Sequence, residues 1–230
     1  MSCKPHIIYL HGLGSGPASQ KGVLVREHFS PLGFAVSLPS VTVPSLEELS
    51  PRAAVTFVKE LVRNENRCSD DRGLILMGSS FGAFLGLHAY QELSGPERAH
   101  IRALVLLAPA LNPWDPVSGL LTPDRERAWR ERGSAQVLNL ETGCYVPVHY
   151  RFVEELRSFD SHVEMLKVPT LILHGLNDEV VPVTQSREFA DSHPGTVLEV
   201  LQDTHQLLGD PPKMLSIIER FILSDGTESR

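Results

Sequence analysis

Residues 74–84 read Leu74-Ile75-Leu76-Met77-Gly78-Ser79-Ser80-Phe81-Gly82-Ala83-Phe84. The continuous apolar run at their start is typical of a strand that is covered on both faces. A helical pattern over residues 81–93 follows directly, so the G-x-S-x-G sequence lies at a tight turn from a strand into a helix. Such a turn lifts Ser80 out of the sheet, and the flanking glycines allow neighbouring backbone to come close. We therefore expect Ser80 to be an exposed nucleophile.

Short apolar runs and helical patterns alternate along the rest of the chain. This alternation predicts an α/β fold with a parallel sheet, in one domain that spans residues 1–230. The predicted strands are residues 7–10, 35–38, 74–77, 104–107, 170–173 and 197–200, and the predicted helices are residues 45–63, 81–93, 182–192 and 212–223.

Composition excludes several classes of function. The 230 residues are 42% hydrophobic and 21% charged, and the formal net charge of −7 leaves no basic footprint for nucleic acid. No apolar run approaches the roughly 20 residues of a membrane span, and residues 1–5 lack the apolar core of a signal peptide. Three widely separated cysteines match no metal site and indicate free thiols. We expect a cytoplasmic protein.

Residues 112–167 interrupt the alternation of strands and helices. A long excursion between two core strands is usually functional or covers something, so we expect a cap insertion, with a plain structural insertion as the alternative. A hairpin is predicted from residues 136–140 and 144–149. Apolar side chains of the cap are candidates for binding substrate, for packing the cap, or for a homodimer contact: Trp114, Leu120, Leu121 and Phe152.

A glycine-rich loop, residues 11–16, follows the first predicted strand. Its glycines let the loop approach Ser80, so Gly12 is a candidate substrate contact. The backbone amides of Leu13 and Phe81 are candidates for an oxyanion hole. A dinucleotide loop is disfavoured because G-x-G-x-x-G with a following helix and acid is missing. We expect His11 to support the loop.

Two more candidates follow the last strands. Asp178 ends the sequence His174-Gly175-Leu176-Asn177-Asp178 after the predicted strand 170–173, and His205 follows the last strand. The order Ser80, Asp178, His205 is that of a nucleophile, an orienting acid and a base on an α/β sheet. Ser79 and Glu179 are weaker rivals, and Asp178 alone could equally be a turn residue.

Together these motifs resemble the α/β-hydrolase superfamily, over about residues 7–223. The opening residues 9–21 are similar to small bacterial esterases, and residues 145–152 look like the cap of the acyl-glucuronide esterase and protein depalmitoylase branch. The resemblance implies a mostly parallel sheet of about six strands, because the family's first two strands are missing here. It also implies a small-molecule ester or thioester substrate and no metal or organic cofactor.

Two alternatives remain open at the level of sequence. A peptidase or amidase would use the same three residues, since cap shape decides between these substrates. A binding module that keeps the fold without catalysis is the other, although it would not need Ser80, Asp178 and His205 together.

Overall fold

A parallel sheet with helices on both faces organises the chain. The computed structural model describes residues 4–68, 72–113, 121–159 and 163–224. In chain order its elements are β1 (His6–Leu10), α1 (Gln20–Phe29), β2 (Ala35–Ser37), α2 (Pro51–Cys68), β3 (Leu74–Ser79), α3 (Phe81–Glu92), α4 (Gly95–Ala99), β4 (Ile101–Leu107), α5 (Pro123–Arg132), β5 (Ser134–Leu138), β6 (Tyr145–His149), α6 (Arg151–Arg157), β7 (Thr170–Gly175), α7 (Val183–Ser192), β8 (Thr196–Leu201) and α8 (Pro211–Leu223).

The main sheet has six strands in the order β2-β1-β3-β4-β7-β8, and every neighbouring pair is parallel. Each predicted apolar run falls on one of these strands, so the predicted six-stranded parallel sheet is confirmed. Parallel strands cannot be joined by tight hairpins, which is why helices cross between them. The carboxyl ends of β1, β3, β7 and β8 therefore open onto the same edge.

Alternate residues of the strands face two separate apolar cores. Ile8 and Leu10 pack in one core with residues of α2 and α3, whereas Ile7 and Tyr9 pack in the other with residues of α1 and α8. This period of two follows from the pleat of a strand, and burial on both faces explains the continuous apolar runs.

The helix predictions differ from the structure mainly near the N-terminus. Helices α3, α7 and α8 begin and end within one residue of their predicted bounds. The prediction that a helix starts at Ser45 is wrong. The Glu48 amide does donate to Ser45 Oγ at 3.2 Å, but this bond closes a turn, and the Ala53 amide bonds Ser50 Oγ at the true start of α2. Helix α1 is not predicted from the sequence, because its residues show only weak amphipathic patterning.

The excursion between β4 and β7 holds α5, the β5–β6 hairpin and α6. The predicted hairpin is present, with Ser134 opposite His149 and Leu138 opposite Tyr145. The Trp129 indole donates to the Val148 carbonyl at 2.8 Å and so joins α5 to the hairpin. Buried Glu126 accepts hydrogen bonds from Arg157, Arg130 and Tyr150, which ties α5 to α6.

Among the described residues, no helix combines the length and the apolar character needed to cross a membrane.

We predict that Gly82→Ala destabilises the fold far more than Gly86→Ala, although both lie in α3. A Cβ at position 82 would lie 2.1 Å from the Leu10 carbonyl oxygen, whereas a Cβ at position 86 would make an ordinary contact of 3.4 Å. Gly82→Ala should lower the free energy of unfolding by about 3 kcal/mol, because backbone has to shift. Gly86→Ala should change it by less than about 1 kcal/mol. Urea unfolding measures both, and equal effects would contradict the close approach.

Candidate active site

Ser80 lies at the turn between β3 and α3 in a backbone conformation that non-glycine residues rarely adopt. Its φ is 54° and its ψ is −115°, and its amide donates to the Leu107 carbonyl at 2.9 Å. A Cβ at Gly78 would lie 2.5 Å from the Gly82 carbonyl oxygen, and one at Gly82 would collide with Leu10. The turn therefore requires glycine on both sides of the serine, as the sequence pattern predicts.

Three predicted residues from distant parts of the chain meet at this turn. His205 Nε2 lies 3.0 Å from Ser80 Oγ, and His205 Nδ1 lies 2.8 Å from Asp178 Oδ2. The Asp178 carboxylate accepts from Nδ1–H, which leaves Nε2 free to accept the Ser80 hydroxyl. This is the hydrogen-bond order of a nucleophile, a base and an orienting carboxylate. The rivals lie outside this hydrogen-bond chain: Ser79 is buried beside the Tyr9 hydroxyl, and Glu179 is exposed.

The Asp178 carboxylate is fully buried and has both oxygens bonded. Oδ1 accepts the amides of Val180 and Val181 at 2.8 Å each, and Oδ2 accepts from His205 and from His174 Nε2 at 3.1 Å. Burial raises the pKa of Asp178, but the hydrogen bonds from His174, His205 and Val181 outweigh it and hold the pKa well below its usual range. The carboxylate is thus charged whenever the protein is folded near neutral pH.

His174 is a functional residue whose role the sequence pattern leaves undefined. It is completely buried, with Nδ1 2.7 Å from Ser186 Oγ and Nε2 2.9 Å from the Val181 carbonyl oxygen. Since Nε2 faces both this carbonyl and Asp178, it carries a proton, and Nδ1 accepts the Ser186 hydroxyl. His174 therefore positions Asp178 and does not reach Ser80. Its spacing of four residues from Asp178 is the signal in the sequence.

The loop that carries His205 is packed tightly against the end of β7. A Cβ at Gly175 would lie 2.4 Å from the Thr204 carbonyl oxygen, so this approach requires glycine. The Asp203 carboxylate accepts the amides of Thr204 at 2.7 Å and Gly209 at 2.9 Å, which closes the loop. Lys21 Nζ donates to the His205 carbonyl at 3.3 Å. Contacts from three elements thus fix the imidazole.

The glycine-rich loop after β1 runs beside Ser80. A Cβ at Gly12 would lie 3.5 Å from Ser80 Cβ, and Leu13 lines the same cavity as Ser80. Phe81 is the first residue of α3, and an amide in that position has no acceptor within its own helix. Both predicted amide donors, of Leu13 and Phe81, therefore belong to segments that border the nucleophile.

His11 supports this loop, as its sequence context suggests. The ring accepts the Val41 amide at Nε2, 3.1 Å away, and its Nδ1 donates to the Gly12 carbonyl at 3.0 Å. Burial lowers the pKa of His11, and these two bonds need the neutral ring. His11 is therefore a fixed structural ligand of the loop and lies outside the hydrogen-bond chain of Ser80.

Two cavities flank Leu13 and Val137, which line both. The first has a volume of about 670 Å³ and is bordered by Ser80, His205 and Gly12. The second, of about 660 Å³, lies under the cap and is bordered by Leu121, Trp129 and Phe152. The predicted substrate contacts Gly12, Leu121 and Phe152 thus line cavities at the site, whereas Trp114 and Leu120 lie outside the described residues.

The cap closes over the site through the β5–β6 hairpin. The Leu140 amide donates to the Gly14 carbonyl at 2.7 Å, and the Phe152 ring lies 5.6 Å from that of Phe81. Within the described residues, no three His, Cys, Asp or Glu side chains are grouped as a metal site would need.

The profile of the uncharacterised protein family UPF0227 matches residues 6–221. The chain belongs to this family. A comparison with curated proteins finds no significant match.

Solved structures with the same fold include esterases and a lipase. Est1E from Butyrivibrio proteoclasticus, with ferulic acid bound, is 19% identical with a TM-score of 0.76, and the match covers 97% of this chain and 90% of Est1E. Alpha/beta hydrolase domain-containing protein 10 from mouse is 22% identical with a TM-score of 0.71, over 96% and 91%. The monoacylglycerol lipase of Paleococcus ferrophilus is 15% identical with a TM-score of 0.68, over 95% of each chain. The predicted α/β-hydrolase fold is confirmed.

We predict that Asp178→Asn destabilises the folded chain by about 3 kcal/mol at pH 7. In either orientation the NH₂ group of the new asparagine faces two N–H donors and cannot accept from them, so buried donors lose their acceptors. Glu179→Gln, which removes an exposed charge next to it, should change stability by less than about 0.5 kcal/mol. Urea unfolding of both variants measures the difference, and equal stabilities would contradict the buried network.

The effect of Asp178 should depend on pH in one direction. Its folded pKa lies below the unfolded value of about 3.9, so the stabilisation is fully present above that value and is lost as pH falls below it. The difference between wild type and Asp178→Asn should therefore shrink as pH falls from 5 to 3. A difference that stayed the same or grew between pH 5 and pH 3 would be the contrary result.

Proposed function

We propose that this protein is a serine hydrolase that cleaves carboxylic esters or thioesters. The supporting observation is the pair of distances at His205, 3.0 Å to Ser80 Oγ and 2.8 Å to Asp178 Oδ2. A serine hydroxyl is a weak nucleophile until a base stands beside it in its neutral form. The buried carboxylate holds His205 in that tautomer and compensates the charge that it gains. Fold alone does not define chemistry, so this geometry is the basis of the assignment.

The reaction has two halves. Ser80 Oγ attacks the substrate carbonyl carbon while its proton passes to His205 Nε2. The carbonyl oxygen becomes an oxyanion, which the amides of Leu13 and Phe81 stabilise by about 3 kcal/mol for each well-placed donor. The bond to the alcohol or thiol then breaks, His205 returns the proton to that leaving group, and Ser80 remains acylated. Water, deprotonated by His205, releases the acid and restores Ser80.

The acyl group is proposed to bind in the cavity beneath the cap. That cavity adjoins the Ser80 cavity along Leu13 and Val137. Its lining includes the apolar side chains of Leu121, Trp129 and Phe152, together with Arg125 and Arg132. An apolar chain gains about 0.8 kcal/mol for each buried CH₂ group, so longer acyl chains should bind better until the cavity is filled.

Ser80→Ala should abolish labelling by a fluorophosphonate probe and lower ester turnover at least about 10³-fold, because the acyl intermediate cannot form. Ser79→Ala is the matched control, since Ser79 is the adjacent buried serine and should keep both labelling and turnover. Gel fluorescence and hydrolysis of 4-nitrophenyl butyrate measure the two effects. Labelling that survives in Ser80→Ala but vanishes in Ser79→Ala would refute the assignment.

Ala135→Phe should shorten the acyl chain that the protein accepts. Ala135 lines the cavity beneath the cap, and an aromatic ring there would occupy the space of several CH₂ groups. The ratio of kcat/KM for 4-nitrophenyl decanoate to that for 4-nitrophenyl acetate should fall about tenfold. Leu138→Phe on the same strand is the control, because Leu138 is partly exposed to solvent. An unchanged ratio in Ala135→Phe would indicate that the acyl group binds outside this cavity.

A further inference from the structure

Lys21 is a buried lysine at the candidate active site. It is only 8% exposed, and it lines the 670 Å³ cavity together with Ser80 and His205. Lysine is almost never fully buried unless its ammonium group is paired. Lys21 is the second residue of α1, and its buried ammonium group therefore needs a partner that compensates its charge.

The described residues make few direct contacts with the ammonium group of Lys21. The ammonium group has three N–H donors, and its contact among the described residues is the 3.3 Å hydrogen bond to the His205 carbonyl. In that same part of the chain no carboxylate oxygen lies within 4 Å of Nζ. Burial lowers the pKa of Lys21 to about 8, against the opposing effect of Asp178 and Asp203. The group is thus still mostly protonated at pH 7, with two donors left over.

A second buried polar group of the same cavity is also incomplete. Ser19 Oγ is buried and interacts with the Tyr9 hydroxyl, but it makes no hydrogen bond of full geometric quality within the described residues. Unsatisfied buried polar groups are uncommon in native proteins and call for an explanation. Lys21 with two spare N–H donors and Ser19 with its incompletely bonded hydroxyl both line the cavity that Ser80 borders, and together they point to an oxygen-rich ligand group.

We propose that Lys21 anchors a carboxylate of the substrate, so that the protein prefers esters with a single negative charge near the scissile bond. This proposal rests on the proposed hydrolase function. Three carboxylates surround the position: Asp178 and Asp203 act on Lys21 from the loops after β7 and β8, and Glu141 lines the cavity from the β5–β6 hairpin. Lys21 is the only lysine or arginine that lines this cavity among the described residues, and these carboxylates already offset part of its charge. The site therefore accommodates one added negative charge at most, and a carboxylate fits better than a dianionic phosphate.

The carboxylate can belong to either half of the ester, and matched substrate pairs distinguish the two. 4-Butyryloxybenzoate and its methyl ester differ by a charge on the leaving group. Mono-phenyl adipate and phenyl hexanoate differ by a charge on the acyl group. Wild type should favour the charged member of one pair at least tenfold in kcat/KM at pH 7, and the pair that shows the preference identifies the half that Lys21 contacts.

Lys21→Met should reduce that charged-to-neutral ratio at least tenfold, mainly through KM. The ratio is insensitive to any effect of Lys21 on the His205 loop, because such an effect lowers kcat/KM for the charged and the neutral substrate alike. Lys213→Met is the matched control, since Lys213 is exposed on α8 and its loss changes the net charge equally. A ratio that stays the same in Lys21→Met, or a wild type without any preference, would overturn the proposal.

The wild-type ratio should also fall as pH rises from 7 to 9, because Lys21 loses its proton, and it should stay flat in Lys21→Met. Calorimetry of benzoate binding to Ser80→Ala, and to Ser80→Ala with Lys21→Met, tests the anchor without turnover. If the fluorophosphonate probe does not label the wild type, the hydrolase function is rejected. If the probe labels the wild type but benzoate binds equally to Ser80→Ala and to the double variant with Lys21→Met, only the role of Lys21 is rejected.

Discussion

The close contact of α3 with the ends of β1 and β4 is the constraint on which the site depends. Gly82 lies against the Leu10 carbonyl, and the Ser80 amide bonds the Leu107 carbonyl. These two contacts leave space for no side chain at position 82 and force Ser80 to a positive φ. The strain of such a residue, typically about 1–3 kcal/mol, is retained because the packing around it over-determines the turn. The position of Ser80 on the wall of the cavity is thus a consequence of how helix and sheet are packed.

The buried carboxylate of Asp178 is the second organising element, and its neighbours explain how a charge is tolerated there. Two backbone amides and two imidazoles surround it, so every direction of approach to its oxygens carries a donor. A buried charge without such partners would cost several kcal/mol. His174 and Ser186, which do not reach Ser80, therefore support the geometry of His205 through Asp178.

The cap contacts both the glycine-rich loop and the turn that carries Ser80. The hairpin bonds the glycine-rich loop through Leu140 and Gly14, and the rings of Phe81, Phe152 and Trp129 form a continuous aromatic contact from the turn into the cap. Because Leu13 and Val137 separate the two cavities, small changes in the hairpin alter both. The proposed acyl site and the candidate active site thus share one wall.

Local pattern was sufficient to predict much of the molecule. Continuous apolar runs identified the four central strands of the main sheet, since burial on both faces leaves no alternation, and less regular apolar runs identified the edge strands β2 and β8. Gly78, Ser80 and Gly82 identified the turn, because at both glycine positions a Cβ would lie within about 2.5 Å of backbone atoms. The capping pattern at Ser45 misled, since a hydroxyl that accepts an amide three residues on closes a turn as readily as it begins a helix.

Other features depend on contacts between residues far apart in the chain. Sequence order alone suggested Ser80, Asp178 and His205 as partners, but the distances between them follow from the parallel register of β3, β7 and β8. The support of Asp178 by His174 has only their spacing of four residues as a signal, and the burial of Lys21 beside His205 and the two cavities at Leu13 carry no local signal of their own. Residue type and spacing determined the strands, the turn and the candidate chemistry. Tertiary structure decided which polar groups were buried and which partners they met, because burial and long-range proximity are properties of the packed chain.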